Sequence, residues 1–126
     1  MASSGLQGAI KMITTKRIDL NRVCKDYGIR VVAYSQVPRD YRESTLDKSG
    51  TSGLAFISNG TPIILYDDSR PKTEIRFTVA HELGHILLGH LSYRMENKAI
   101  PDFAENEANC FAAALIANDI LCTYAN

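Results

Sequence analysis

Apolar positions along the chain change period several times, and each change marks an element. From about Leu6 to Tyr27 the spacing is helical, with Leu20, Val23, Cys24 and Tyr27 on one side. Thr14-Thr15 allows a break there, with Asp19 capping a second piece, and Gly28 is placed as the stop. Ile29-Arg-Val-Val-Ala-Tyr34 is rich in β-branched residues and predicts a strand. Ser35 to Ser52, with Pro38, Gly50 and many charges, predicts no regular element, and so long a loop inside a compact domain is often functional. Two short apolar runs follow, Leu54-Ala-Phe-Ile-Ser58 and Ile63-Ile-Leu-Tyr66. Between them Asn59-Gly60 is a strong hairpin signal, because both turn positions favour φ > 0. Pro62, which lacks an amide hydrogen, belongs at a strand end or on an edge.

Asp68-Ser-Arg-Pro71 has the side chains of a helix start, and helical spacing continues to about Leu88. Ile75, Val79, Leu83 and Ile86 form the main stripe, while Phe77, Ala80, Leu87 and Leu88 carry apolar character round the helix. A helix apolar on nearly all sides is buried. Charged and imidazole groups on it then cost free energy unless paired or coordinated. A connector, Gly89 to Asp102, leads to a last helix from about Phe103 to Leu121, with Ala104, Ala108, Phe111 and Leu115 as its stripe. The expected fold is α+β: a small, mostly antiparallel three-stranded sheet packed on helices, in a single domain over 1–126 with residues 1–5 disordered.

Composition narrows the function. Formal net charge is zero, so no electrostatic excess favours nucleic acid or a membrane surface. No apolar run approaches a membrane span and no signal peptide is legible, so the expected location is cytoplasmic. Cys24, Cys110 and Cys122 are odd in number and widely spaced, which predicts reduced thiols.

The chemistry lies on the buried helix, where His81, Glu82 and His85 have the spacing His-Glu-x-x-His. Helical residues four apart share a face, so both imidazoles can reach one metal ion, and Glu82 projects beside them as a base for water. Zinc peptidases use this arrangement. A third ligand is required. His90 does not fit the metzincin pattern, because Leu88 and Leu91 stand where that pattern needs Gly and His. It is read instead as ending the helix, its ring donating to free carbonyls. A carboxylate on the last helix is the alternative, either Glu105 or Glu107, and helical geometry leaves both open. With Glu105 as ligand, Asn109 would stand one turn along, able to hydrogen-bond a ligand imidazole or a nearby carbonyl. Tyr66, His90, Tyr93 and Arg94 are candidates to steady an oxyanion. An extended substrate would pair with the hairpin over 54–66.

Thr78-Val-Ala-His-Glu-Leu-Gly-His-Ile-Leu-Leu-Gly-His90, with Glu105-x-Glu-Ala-Asn-x-Phe-Ala-Ala-x-Leu-Ile116 downstream, resembles the ImmA/IrrE family of metallo-endopeptidases, zinc peptidases of the gluzincin type. The likeness covers roughly Ile29 to Ile116. It implies a zincin-like active helix and a ligand-bearing last helix. His81, His85 and Glu105 would hold Zn²⁺ or another divalent metal, Glu82 would be the base, and Asn109 would stand beside the ligands. Glu107 is the alternative ligand. It also implies an intracellular protein substrate, typically a helix-turn-helix repressor, often of a prophage or mobile element. Two departures stand out: Ala117-Asn-Asp-Ile follows where relatives often have Met-Pro, and 126 residues leave no room for the DNA-binding domain many relatives carry. The competing expectation is a non-catalytic, metal-stabilised module that binds a partner, as in a toxin–antitoxin pair.

Overall fold

The computed structural model describes residues 16–38 and 52–125. The predicted helix before Lys16 and most of the predicted 35–52 loop fall outside the described residues. Helix α1 (Leu20–Asp26) begins where Asp19 accepts a hydrogen bond from the Arg22 amide. It ends at Gly28, with φ +69°, and the next strand follows at once. Strand β1 (Arg30–Ala33) leads into a short 3₁₀ turn, Tyr34–Gln36. Strands β2 (Gly53–Ser58) and β3 (Thr61–Tyr66) form the predicted hairpin, with Asn59 and Gly60 both in the left-handed region.

The sheet departs from expectation. Its order is β1-β3-β2, with β1 parallel to β3 and β2 antiparallel to it, so it is mixed and not mostly antiparallel. The hairpin dipeptide governs only the β2–β3 pair. β2 lies on the far side of β3 from β1, and β1 runs alongside β3 and points the same way. A parallel pair needs a long connection, and the chain between β1 and β3, which includes β2, supplies it. Ile64 and Leu65, successive and therefore on opposite faces, are both buried, as suits the central strand.

Helix α2 (Lys72–Leu87) packs on β2, β3 and the long last helix α4 (Asp102–Ala125). Leu83 and Ala80 are fully buried between these layers, and full burial of a side chain like Leu83 is worth about 1.5–3 kcal/mol. Gly84 faces the Phe111 ring so closely that an added Cβ would lie 3.2 Å from it, which is how α2 and α4 approach at the level of His85. Arg76 fastens the same pair of helices: its guanidinium donates to both Asp119 oxygens at 2.5 and 2.8 Å and to the Ile18 carbonyl at 2.8 Å.

The start of α2 differs from its reading in sequence. Pro71 is the N-cap and no side chain caps the helix. Asp67 instead accepts from the Ser69 amide and hydroxyl, and Asp68 accepts from Ser35. The connector after Gly89 contains one short unpredicted helix, α3 (Leu91–Met95), which packs against β2. None of the three cysteines is in a disulfide; Cys24 and Cys122 are buried and Cys110 is exposed. Among the described residues no helix is long and apolar enough to cross a membrane.

Candidate metal centre

Two helices place the converging side chains. On α2, His81 and His85 stand one turn apart with their Nε2 atoms 3.0 Å from each other. From α4, Glu105 brings one oxygen to 3.2 Å from His81 Nε2 and the other to 3.3 Å from His85 Nε2. One donor atom from each of the three lies within 4.8 Å of the others. Burial and the neighbouring charges of His81, Arg94 and His90 push the His85 ring down to about 3, so it is neutral and its ring nitrogen has a free lone pair. Two imidazole nitrogens and a carboxylate thus converge, a donor set that suits a divalent cation.

Glu82 lies beside them, 3% exposed. Burial pushes its carboxyl up to about 7, with the Arg94 charge opposing and the Glu105 charge adding to the rise. Its Oε2 and the Nδ1 of His81 are buried without a hydrogen-bond partner among the described residues. An orphaned carboxylate oxygen beside the converging donors is where a water would be held and polarised, so the residues present fit a metal and its water.

The surrounding cleft has a volume of about 360 Å³ and is lined by Ser52, Gly53, Phe77, Thr78, His81, Glu82, Arg94, Glu105 and Asn109. Gly53 is required there, since a Cβ would collide with Thr78 Cγ2 and stand 3.5 Å from Glu82 Cγ. Ser52 and Thr78 hydroxyls are 3.0 Å apart across the same junction. Of the four groups considered for the oxyanion, Arg94 lines the cleft, with Nη2 4.0 Å from Glu82. Tyr66 packs against the core and Tyr93 does not line the cleft. Arg94 also donates to the Ala55 carbonyl on edge strand β2, a group an incoming strand would need.

Glu105 and Glu107 lie on opposite flanks of the α4 stripe formed by Ala104, Ala108 and Phe111, so the helix presents them to different neighbours. Glu105 faces His81 and His85. Glu107 sits 3.2 Å from His90 Nε2, away from the converging donors. His90 was expected to donate to helix carbonyls; instead its buried ring has Nδ1 2.9 Å from His85 Nδ1. Asn109 lines the cleft, but the second nitrogen of His85 goes to His90 and that of His81 has no partner among the described residues. The clue to His90 was in the sequence. Gly89 just past the helix predicts a left-handed C-terminal turn, and such a turn folds the following residue back over the last turn of the helix.

A family model described as Peptidase_M78, IrrE N-terminal-like domain, matches residues 24–122, from within α1 to near the end of α4. No curated protein and no solved structure gives a match.

Proposed function

The chain belongs to the IrrE N-terminal-like peptidase family, and we propose that it is a zinc-dependent endopeptidase acting on a regulatory protein. One observation carries this reading: His81, His85 and Glu105 converge beside Glu82, a buried carboxylate with an unpartnered oxygen. His81, His85 and Glu105 would hold the ion. When bound, a divalent ion lowers the pKa of the attacking water and polarises the scissile carbonyl.

The chain's own residues do the rest. Glu82 accepts a proton from the water as its oxygen joins the carbonyl carbon, then passes that proton to the amine nitrogen as the C–N bond breaks. Burial keeps the Glu82 carboxyl near 7, the range in which it can both take and return a proton. Arg94 faces the same cleft as a donor for the developing oxyanion. The resemblance to the ImmA/IrrE family supports a helix-turn-helix repressor as substrate, in the cytoplasm, in a prophage or similar element.

Zinc-loaded protein incubated with the repressor encoded beside it should yield discrete fragments. Glu82→Gln should lower that rate about 10²–10⁴-fold while binding zinc as before. Stable binding of the repressor with no fragments would instead identify a non-catalytic partner-binding module.

A further inference from the structure

His85, His90 and Glu107 form a chain of contacts that ends at the metal-facing nitrogen. His85 is fully buried, and its Nε2 points to His81 and Glu105. Its other nitrogen, Nδ1, is 2.9 Å from Nδ1 of His90, itself buried. The far side of His90, Nε2, is 3.2 Å from Glu107 Oε1.

We propose that Glu107 and His90 are positioning residues that set the tautomer and orientation of His85. The protons along this chain can be arranged in only one way that leaves His85 free to coordinate. Glu107 as a carboxylate only accepts, so His90 must carry its proton on Nε2. His90 Nδ1 is then a bare acceptor. His85 donates to it from Nδ1, and the lone pair on His85 Nε2 is left for the ion. Ligand imidazoles usually donate to a carboxylate or carbonyl; here a second imidazole stands between ligand and carboxylate. This rests on His85 being a metal ligand, as proposed above.

The backbone delivers His90 to this place. The His90 amide bonds to the His85 carbonyl at 2.8 Å and the Gly89 amide to the Ile86 carbonyl at 3.2 Å. These two bonds define a Schellman motif, in which the residue after the glycine sits against the residue five before it. That contact is frequently hydrophobic. Here it joins two imidazoles.

The test uses the full chain labelled at its histidine nitrogens. In metal-free protein, long-range proton–nitrogen spectra should show His85 with its proton on Nδ1 and His90 with its proton on Nε2. Zinc affinity, read by competition with a chromophoric chelator, should fall about 10–100-fold in His90→Phe. It should recover substantially in His90→Gln, whose amide oxygen can accept from His85. Glu107→Ala should weaken zinc binding less than His90→Phe, and since Glu107 is part-exposed that variant keeps its fold. A wild-type His85 carrying its proton on Nε2 overturns the proposal, as does unchanged zinc affinity in both His90→Phe and Glu107→Ala. The tautomer is read without metal, so it judges this chain of contacts independently of cleavage. Expected tautomers and tight zinc binding without proteolysis would count against the peptidase reading alone.

Discussion

Helices α1 and α2 end in the same way and to different purpose. After α1, Gly28 is left-handed, its amide bonds to the Lys25 carbonyl, and the Ile29 amide bonds to the Cys24 carbonyl. After α2, Gly89, His90 and His85 repeat these bonds one for one. At the first end the paired residues are Cys24 and Ile29, both in the hydrophobic core. At the second they are His85 and His90, both buried and joined by a hydrogen bond. One backbone device serves as a core anchor or a site anchor according to the two side chains it brings together. Desolvation acts on both ends alike. It pushes the Cys24 thiol up to about 11 and contributes most to pushing the His85 ring down to about 3, in each case favouring the neutral form.

The widest separation between the two ends should come from truncating Ile29. Ile29→Ala should cost about 2–5 kcal/mol of folding stability, the range for a buried aliphatic side chain cut to Ala. Its effect on zinc affinity should stay within about twofold, because the hydrogen bonds and ion pairs of His81, His85 and Glu105 are with one another and with His90, not with Ile29. Urea unfolding of metal-free protein, set beside chelator competition, measures both. If Ile29→Ala weakens zinc as much as His90→Phe does, the division between a core end and a site end is lost.

The glycines allow a closer comparison, because a methyl group added at Gly28 or at Gly89 would meet no other atom within 4 Å. Gly28→Ala and Gly89→Ala should therefore differ from wild type by backbone strain alone, about 1–2 kcal/mol each. Similar unfolding midpoints are expected for the two. Only Gly89→Ala should also weaken zinc binding, since His90 hangs from that turn. Equal zinc affinities in the two variants would mean that the turn after α2 does not hold His90 in place.

How much of this was legible in the chain depends on how local the determinant is. The Asn59-Gly60 hairpin, the stop at Gly28 and the His81–His85 pairing depend on neighbours within a turn or two, and all are present as read. The mixed sheet depends on which side of β3 receives β2, and no local pattern around Ile29 or Leu54 encodes that. The choice between Glu105 and Glu107 had the same difficulty. Periodicity puts them on the two flanks of one stripe, and only the docking of α4 on α2 shows that one flank meets His81 and His85 while the other meets His90. Side chains near Pro71 misled for a different reason: Asp67 and Asp68 have capping chemistry but use it on Ser69 and Ser35. The place of His90 was local and still misread, since Gly89 announces the turn that carries it.

The smallest expected difference is a pH effect at the core end. The Cys24 thiol lies 1% exposed, and burial raises it from 9.0 to about 11. Its folded pKa is therefore above its unfolded one. The resulting stability is fully present below pH 9 and is lost as pH rises through about 11, because the unfolded chain ionises first and unfolding releases a proton. At pH 10 this amounts to about 1 kcal/mol. Cys24→Ala should flatten the stability curve between pH 9 and 11 relative to wild type, and Cys110→Ala, at an exposed position, is the matched control. Taking the difference between variants removes the lysines and tyrosines that titrate in the same range. If Cys24→Ala and wild type lose stability in parallel over that range, burial at this helix end is not holding the thiol neutral, and the physical likeness drawn between Cys24 and His85 fails.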